Sequence, residues 1–180
     1  MSKNVSTKKL VGVALFSSLA FVLSYLEFPL FPAAPFLKLD FSSVFLLLSG
    51  FCFGPVWGVA TCVIKELLCF LTKTSTGGVG EIANAVVGIS FILIPTIVYK
   101  FKKGLPIVII TLIIGCLTAT GTAMLTNRFI TFPLYMGSGA VEVFKSLWQY
   151  VLYFNLIKYF AISFVTVIIY KRISYILKKF

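Results

Sequence analysis

The sequence predicts an all-α integral membrane protein whose residues 1–180 form a single membrane domain. Two observations lead to this fold class. Apolar residues make up 59% of the chain and charged residues only 12%, whereas soluble domains hold about 25% charged residues. Several apolar runs also approach the roughly 20 residues that a helix needs to cross a bilayer. We therefore expect the lipid bilayer to surround most of the chain.

The basic residues indicate a membrane orientation. The chain carries a formal net charge of +11, but its lysines and arginines gather at the ends of the apolar runs. This distribution is typical of membrane proteins, whose cytoplasmic loops are rich in both residues. We therefore expect no nucleic-acid partner.

Metal sites, disulfides and catalysis are not expected either. The chain has no histidine, and its cysteines lie in apolar runs without paired spacing. It lacks a Gly-x-x-x-x-Gly-Lys-Ser/Thr stretch for nucleotide phosphates and a constellation of nucleophile and base. The sequence thus predicts a protein that is not an enzyme. The cysteines are Cys52, Cys62, Cys69 and Cys116.

A proline-rich loop, Phe28–Asp40, follows the first apolar segment, about Leu10–Leu26. Its prolines lack backbone donors and bias the preceding residues away from helix, so this apolar loop cannot be a membrane helix. We expect it to lie at the membrane surface as a lid over an apolar site. It ends in Asp40, one of only five acidic residues, which is the first candidate for binding. The prolines are Pro29, Pro32 and Pro35.

The next apolar run, Phe41–Leu71, is too long for one membrane helix. Gly50 and the pair Gly54-Pro55 interrupt it, and both residue types disfavour the interior of a helix. We therefore predict two short segments, about Phe41–Gly50 and Val56–Leu71.

The positions of the lysines support this division. A basic cluster at residues 100–103 should lie on the cytoplasmic side, as should Lys3, Lys8 and Lys9. An even number of crossings must separate the two clusters, which four segments provide and three do not. The sequence therefore predicts six transmembrane helices with both termini cytoplasmic, the last helix ending in a tail with Lys171, Arg172, Lys178 and Lys179. The remaining segments are about Glu81–Tyr99, Leu105–Thr126 and Asn155–Tyr170.

The third predicted outer loop, Asn127–Phe154, is long enough to contain an amphipathic surface helix. This helix would form a second wall of a binding site or would rest on lipid headgroups, and the sequence favours neither. Its polar side would carry Glu142, Lys145, Ser146 and Gln149, and its apolar side Val141, Phe144, Trp148 and Val151.

Polar side chains near the outer helix ends form a second group of candidates. Glu81 and Asn84 are three residues apart and share one face of the fourth helix, and Asn155 and Lys158 repeat this spacing on the sixth. Asn127 lies at the outer end of the fifth helix. A charge inside the membrane costs about 2.5–3.5 kcal/mol on insertion scales, so such residues are functional candidates by default.

Structural roles compete with these assignments. Glu81 and Lys158 could simply pair with each other, or Lys158 could extend outward from its helix end. Asp40 could be the N-cap of the second helix, ahead of Ser42 and Ser43, in addition to binding. The neighbouring charges Lys65 and Glu66 are interpreted as a structural pair.

The aromatic loop and the polar groups together suit a flat, partly apolar ligand with a polar tail. Three stretches and the Asn127 region resemble the riboflavin-specific substrate-binding subunits (S components) of energy-coupling factor (ECF) transporters. The resemblance extends over essentially the whole chain. The stretches read FPLFPAAPFLKLDFS, GVGEIAN and FNLIK.

This resemblance implies a multi-pass subunit in the cell membrane of a prokaryote that captures riboflavin, or its phosphate FMN, from outside. Riboflavin would be the transported ligand, and no cofactor is expected. The subunit would work with a transmembrane coupling protein of the EcfT type and two cytoplasmic ATPase subunits.

The resemblance also assigns residues. It places Phe36, Leu37, Leu39 and Asp40 near the isoalloxazine ring, and Glu81, Asn84, Asn127, Asn155 and Lys158 near the polar groups of the vitamin. The family docks its partner through an Ala-x-x-x-Ala pattern in the first helix. Here the corresponding residues are Ala14 and Ser18, and the departure to serine keeps the residue small.

Two other functions remain open from the sequence. The chain could be an S component for another vitamin such as thiamine or biotin, or a stand-alone secondary transporter driven by an ion gradient. Stand-alone carriers usually show internal repeats around a midplane site. This chain shows no convincing repeat, and its polar residues gather at one membrane face.

Overall fold

The computed structural model describes residues 6–177 of the chain. Seven α-helices and one short β-hairpin form this part, so the predicted helical fold is confirmed, with the hairpin as an unpredicted addition. Lys3, Lys178 and Lys179, which contribute to the predicted terminal basic clusters, lie outside the described residues. The elements are α1 (Thr7–Leu23), β1 (Phe28–Pro29), β2 (Lys38–Leu39), α2 (Ser43–Phe53), α3 (Pro55–Lys73), α4 (Val79–Phe101), α5 (Leu105–Thr126), α6 (Phe132–Met136) and α7 (Ala140–Leu177).

The long apolar run after the proline-rich loop does break into two helices, α2 and α3. The break lies at Gly54, whose positive φ of 101° suits glycine, and Pro55 then opens α3 in the first helical turn. Gly50 instead lies inside α2. A Cβ there would come within 2.2 Å of the Thr96 side chain, so this glycine lets α4 pack closely on α2.

The predicted outer loop between the fifth and sixth segments is helical over most of its length. A π-helical turn (Asn127–Thr131), α6 and a 3-10 turn (Gly137–Gly139) fill its first part, and α7 then runs without a break for 38 residues. The predicted surface helix and the sixth predicted segment are therefore parts of one continuous helix. The reason is that no glycine or proline follows Gly139 to interrupt the helical pattern. At 1.5 Å per residue α7 measures about 57 Å, which exceeds the roughly 30 Å hydrocarbon core.

Only part of the predicted apolar side of this stretch packs against the protein. The polar residues are exposed, and so are Val141 and Trp148 of the apolar side. The helix instead turns Phe144, Leu147 and Val151 inward, with Val143 and Tyr150 beside them.

Two apolar clusters hold the molecule together. The larger one lies between α2, α4, α5 and α7, and includes Leu47, Phe91, Leu112 and Ile162, all almost fully buried. The smaller one joins the proline-rich loop to α6 and the first part of α7. Because it attaches a loop of irregular backbone to two helices, this second cluster fixes the loop over one end of the bundle.

Three helical stretches among the described residues are long and apolar enough to cross a membrane. They are Pro55–Lys73, Val79–Phe101 and Leu105–Arg172, the last of which combines α5, α6 and most of α7. Helices α1 and α2 are shorter, with 17 and 11 residues. These apolar helices support a multi-pass membrane protein.

Candidate functional site

The proline-rich loop forms a roof at one end of the helices. Its two ends pair as the antiparallel strands β1 and β2, with Phe28 opposite Leu39. Between the strands, Ala34 and Leu37 point inward and are almost fully buried, whereas Phe36 is 47% exposed. The loop therefore has an apolar underside that contacts the protein and an upper side that remains accessible.

Aromatic contacts attach this roof to the helices. The ring of Phe31 packs edge-on against Tyr150 of α7, with centroids 5.5 Å apart, and Phe36 packs edge-on against Phe132 of α6 at 5.8 Å. Such pairs contribute about 0.5–1.5 kcal/mol each beyond the burial of their area. The first part of α7 thus supports the loop.

Beneath the roof lies a cavity of about 220 Å³. Eight of the nine binding residues suggested by the sequence line it, although they come from the loop, α4, the π-helical turn and α7. Leu39 is the exception, because it is buried in the smaller apolar cluster behind the cavity wall. The eight residues are Phe36, Leu37, Asp40, Glu81, Asn84, Asn127, Asn155 and Lys158.

An ion pair joins the loop to α7 at this cavity. Lys158 Nζ donates to Asp40 Oδ2 at 2.9 Å, and both residues are less than 10% exposed. The suggested pairing of Lys158 with Glu81 is therefore wrong, since Glu81 Oε2 accepts a hydrogen bond from Thr76 Oγ1 at 2.8 Å. Lys158 thus both lines the cavity and anchors the end of the loop.

Asp40 also organises the start of α2. Its Oδ1 accepts hydrogen bonds from the backbone N–H and the hydroxyl of Ser42. The N-cap position itself belongs to Ser42, so the prediction that Asp40 is the N-cap was wrong by two residues. Burial raises the pKa of the Asp40 carboxyl, but Lys158, Lys65 and Ser42 together outweigh burial and hold this pKa below its ordinary value.

A second ion pair lies in the wall of the cavity. Lys65 Nζ lies 2.7 Å from Glu66 Oε1, both side chains are less than 10% exposed, and both line the cavity. The sequence favours a structural role for this pair, and the structure adds that both residues line the cavity. A signal was available, because Lys65 lies four residues from both Thr61 and Cys69, which places a charge on the buried face of α3. As for Lys158, placing the charges of Lys65 and Glu66 in an apolar helix costs free energy.

Charged groups also surround the mouth of the cavity. Glu27 bridges two lysines, with Oε1 2.8 Å from Lys38 Nζ in β2 and Oε2 3.2 Å from Lys73 Nζ at the end of α3. Lys73 additionally donates to the Ser24 carbonyl at 2.5 Å. Partial burial raises the pKa of Glu27, but the two lysines lower it more, so the net shift is downward. This bridge holds the returning strand of the loop against α3, and sequence reasoning missed it because its members are far apart in the chain.

Two amide side chains are oriented by helix carbonyls. Asn155 Nδ2 donates to the Val151 carbonyl and Asn127 Nδ2 to the Ala123 carbonyl, each at 2.8 Å. Asn127 opens the π-helical turn, and π-helical turns occur frequently at functional sites. The donors of both amides are thus held in place while the side chains line the cavity.

The predicted docking residues lie away from the cavity, on the exposed face of α1. Ala14 and Ser18 are exposed, whereas Ser17 and Ala20 of the same helix are buried. The Ser18 hydroxyl donates to the Ala14 carbonyl at 2.9 Å, so this polar group is satisfied within the helix. Large apolar residues flank the pair on the same surface: Val11, Leu15, Leu19 and Val22.

Comparison with known proteins gives a consistent result. Residues 8–170 match the family described as "ECF transporter, substrate-specific component". The chain is 35% identical to the riboflavin transporter RibU of Staphylococcus aureus over 177 residues, which cover 96% of this chain and 93% of that relative. It is also 35% identical to the riboflavin transporter FmnP of Bacillus subtilis over 134 residues, or 73% of this chain and 70% of that relative.

A solved structure supports the same assignment. It is described as the S component of a bacterial ECF transporter, and it superposes with a TM-score of 0.81 at 36% sequence identity. The alignment covers 95% of this chain and 98% of that one. The family match, the relatives and the shared fold lead to one conclusion: the chain belongs to the substrate-specific components of ECF transporters.

Proposed function

We propose that this protein captures riboflavin in the cavity beneath the proline-rich loop and presents it for ATP-driven uptake. The observation that carries this proposal is the cavity itself, which combines an aromatic roof with a polar floor in a chain whose relatives are named riboflavin transporters. A flavin has the matching chemistry, since its ring is flat and largely apolar and its ribityl chain carries hydroxyl groups.

The cavity residues then take two roles. Phe36, Leu37 and the adjoining Asp40 would contact the isoalloxazine ring, with Leu39 supporting them from behind. The ribityl hydroxyls and ring heteroatoms would contact the polar residues on α4, the π-helical turn and α7. Lys65 and Glu66, buried beside Asp40 and Lys158, would keep this floor ordered. The polar residues are Glu81, Asn84, Asn127, Asn155 and Lys158.

The proline-rich loop must move before the vitamin can enter the cavity. The cavity of about 220 Å³ is smaller than the roughly 300–1,000 Å³ of typical ligand sites. Its roof has irregular backbone between the two short strands, and Phe36 in this segment is 47% exposed. We infer that the segment around Phe36 moves when riboflavin enters.

Transport needs other subunits. The chain has no phosphate-binding loop, so ATP hydrolysis would come from two cytoplasmic ATPase subunits through a transmembrane coupling protein. The protein would be located in the cell membrane of a bacterium. The family match does not favour a stand-alone ion-driven carrier, and the names of the relatives favour riboflavin over thiamine or biotin.

The six-helix topology with both termini cytoplasmic remains part of the proposal, and cysteine labelling tests it. Single cysteines at Ala33 and Ser138, both exposed near the loop end of the molecule, should react with an impermeant maleimide from outside intact cells. A cysteine at Lys102 should react only after the membrane is opened. The native cysteines are first replaced by serine or alanine. Labelling of Lys102→Cys from outside would overturn the helix assignment.

Ligand binding is tested directly on the purified protein. Protein extracted in detergent from cells grown with riboflavin should be yellow, and titration of the stripped protein should quench flavin fluorescence to a one-to-one end point. Thiamine and biotin, each added in excess, should leave this quenching unchanged. Displacement of the flavin by either vitamin would identify a different substrate.

A further inference from the structure

Tyr159 of α7 carries a hydroxyl without a hydrogen-bond partner in the described part of the chain. Only 4% of the residue is exposed, and it lines the cavity beneath the proline-rich loop. Its hydroxyl is open to this cavity, unlike the enclosed hydroxyls of Tyr99 and Tyr170. Buried polar groups of native proteins are nearly always paired, so this hydroxyl is available for a ligand.

Tyr159 lies at the inner end of the cavity. Helix α7 runs away from the roof, which it contacts through Tyr150 and Phe31. Asn155 and Tyr159 both line the cavity and are four residues apart, so they share one face of this helix. At 1.5 Å per residue, Tyr159 is about 6 Å further from the roof than Asn155. It is therefore the deepest residue that α7 contributes to the cavity in the described chain.

Apolar packing holds the ring of Tyr159 in place. The ring lies against Phe91 of α4, with centroids 4.6 Å apart, and both residues belong to the larger apolar cluster. Val87, one turn before Phe91, belongs to the same cluster and also lines the cavity. The hydroxyl, in contrast, interacts electrostatically with the carboxylates of Asp40 and Glu66. Because the ring is already fixed, its hydroxyl can bind a ligand with little loss of side-chain entropy.

We propose that the Tyr159 hydroxyl binds the ribityl chain of riboflavin. This inference rests on the proposed function, in which the isoalloxazine ring lies beside Phe36 in the roof. The ribityl chain then extends toward the inner end of the cavity, where Tyr159 lies. A tyrosine hydroxyl both donates and accepts hydrogen bonds, as do the hydroxyls of the chain. One ribityl hydroxyl accepts from Tyr159 and donates its own proton to a carboxylate of the cavity wall.

Tyr159→Phe removes only this hydroxyl and tests the proposal. Titration of flavin fluorescence in detergent should show riboflavin bound about three- to tenfold more weakly, the loss expected for one uncharged hydrogen bond. The affinity for lumiflavin, which has the same ring system but no ribityl chain, should stay unchanged. The thermal stability of the ligand-free protein should not fall, because no hydrogen bond is broken there. A purely structural role of the hydroxyl would instead lower this stability and leave the affinity for riboflavin unchanged.

Tyr99→Phe is the matched control, because it makes the same change in a buried tyrosine that does not line the cavity. This variant should bind both flavins like the unmodified protein. Unchanged riboflavin affinity in Tyr159→Phe, while Lys158→Ala still weakens binding, would overturn the contact but not the proposed function. An equal loss of affinity for riboflavin and lumiflavin would also overturn it, since the hydroxyl would then contact the ring. Failure of the unmodified protein to bind riboflavin would reject both proposals.

Discussion

Lys158→Ala should weaken riboflavin binding by about tenfold to a hundredfold. The ammonium is buried in the cavity and donates to Asp40, so removing it eliminates a charged donor in a poorly hydrated site. Hydrogen bonds to charged groups contribute about 1.5–3 kcal/mol, which corresponds to that loss of affinity. Titration of flavin fluorescence in detergent measures the change.

The control is Lys145→Ala, which removes a lysine from the exposed face of the same helix and should leave affinity unchanged. Lys158→Ala also leaves Asp40 buried without its partner, which destabilises proteins by about 3–5 kcal/mol. The double variant Lys158→Ala with Asp40→Asn removes this isolated charge and should regain thermal stability without regaining affinity. Equal binding by Lys158→Ala and Lys145→Ala would place the vitamin in another pocket.

Ala14→Trp should abolish ATP-dependent riboflavin uptake while leaving vitamin binding intact. Membrane helices pack closely where small residues let their backbones approach, and Ala14 lies on the exposed face of α1 one turn from Ser18. A tryptophan there would prevent a coupling protein from docking, yet it would lie outside the cavity. Uptake is measured in vesicles that contain the complete transporter, and binding is measured on the isolated protein.

Ile113→Trp provides the matched control, because it adds the same side chain to an exposed position on α5. This variant should transport normally. Normal uptake by the double variant Ala14→Trp with Ser18→Trp would reject the docking face. Uptake by the isolated protein, reconstituted without any ATPase, would instead support a stand-alone carrier.

Much of the fold was predictable because its signals are local. A glycine followed by proline favours the end of one helix and the start of the next, so the division of the long apolar run followed from the adjacent residues Gly54 and Pro55. The continuity of α7 was not predicted, because the polar residues between Ala140 and Gln149 suggested a separate surface helix ahead of the sixth segment. Polarity does not end a helix when neither glycine nor proline interrupts it, and α7 continues through this stretch.

The candidate site was partly predictable for a different reason. Ionisable groups are costly in apolar helices, so Lys158 and Glu81 drew attention without any knowledge of the fold. Their partners were not predictable, since Lys158 meets Asp40 across 118 positions of sequence. The same distance in sequence concealed the contact of Glu27 with Lys73, which are 46 residues apart and meet because α1, which precedes Glu27, packs beside α3.

The charged residues around the cavity have a consequence for capture from solution. The chain as a whole carries a net charge of +11, yet four carboxylates and four lysines line the cavity, so their formal charges cancel. A cavity lining without net charge exerts little long-range electrostatic attraction on an uncharged vitamin. The ionic strength should therefore scarcely alter the association rate of riboflavin. Discrimination among solutes then depends on shape and on hydrogen bonds made over a few ångströms. The carboxylates are Glu27, Asp40, Glu66 and Glu81, and the lysines are Lys38, Lys65, Lys73 and Lys158.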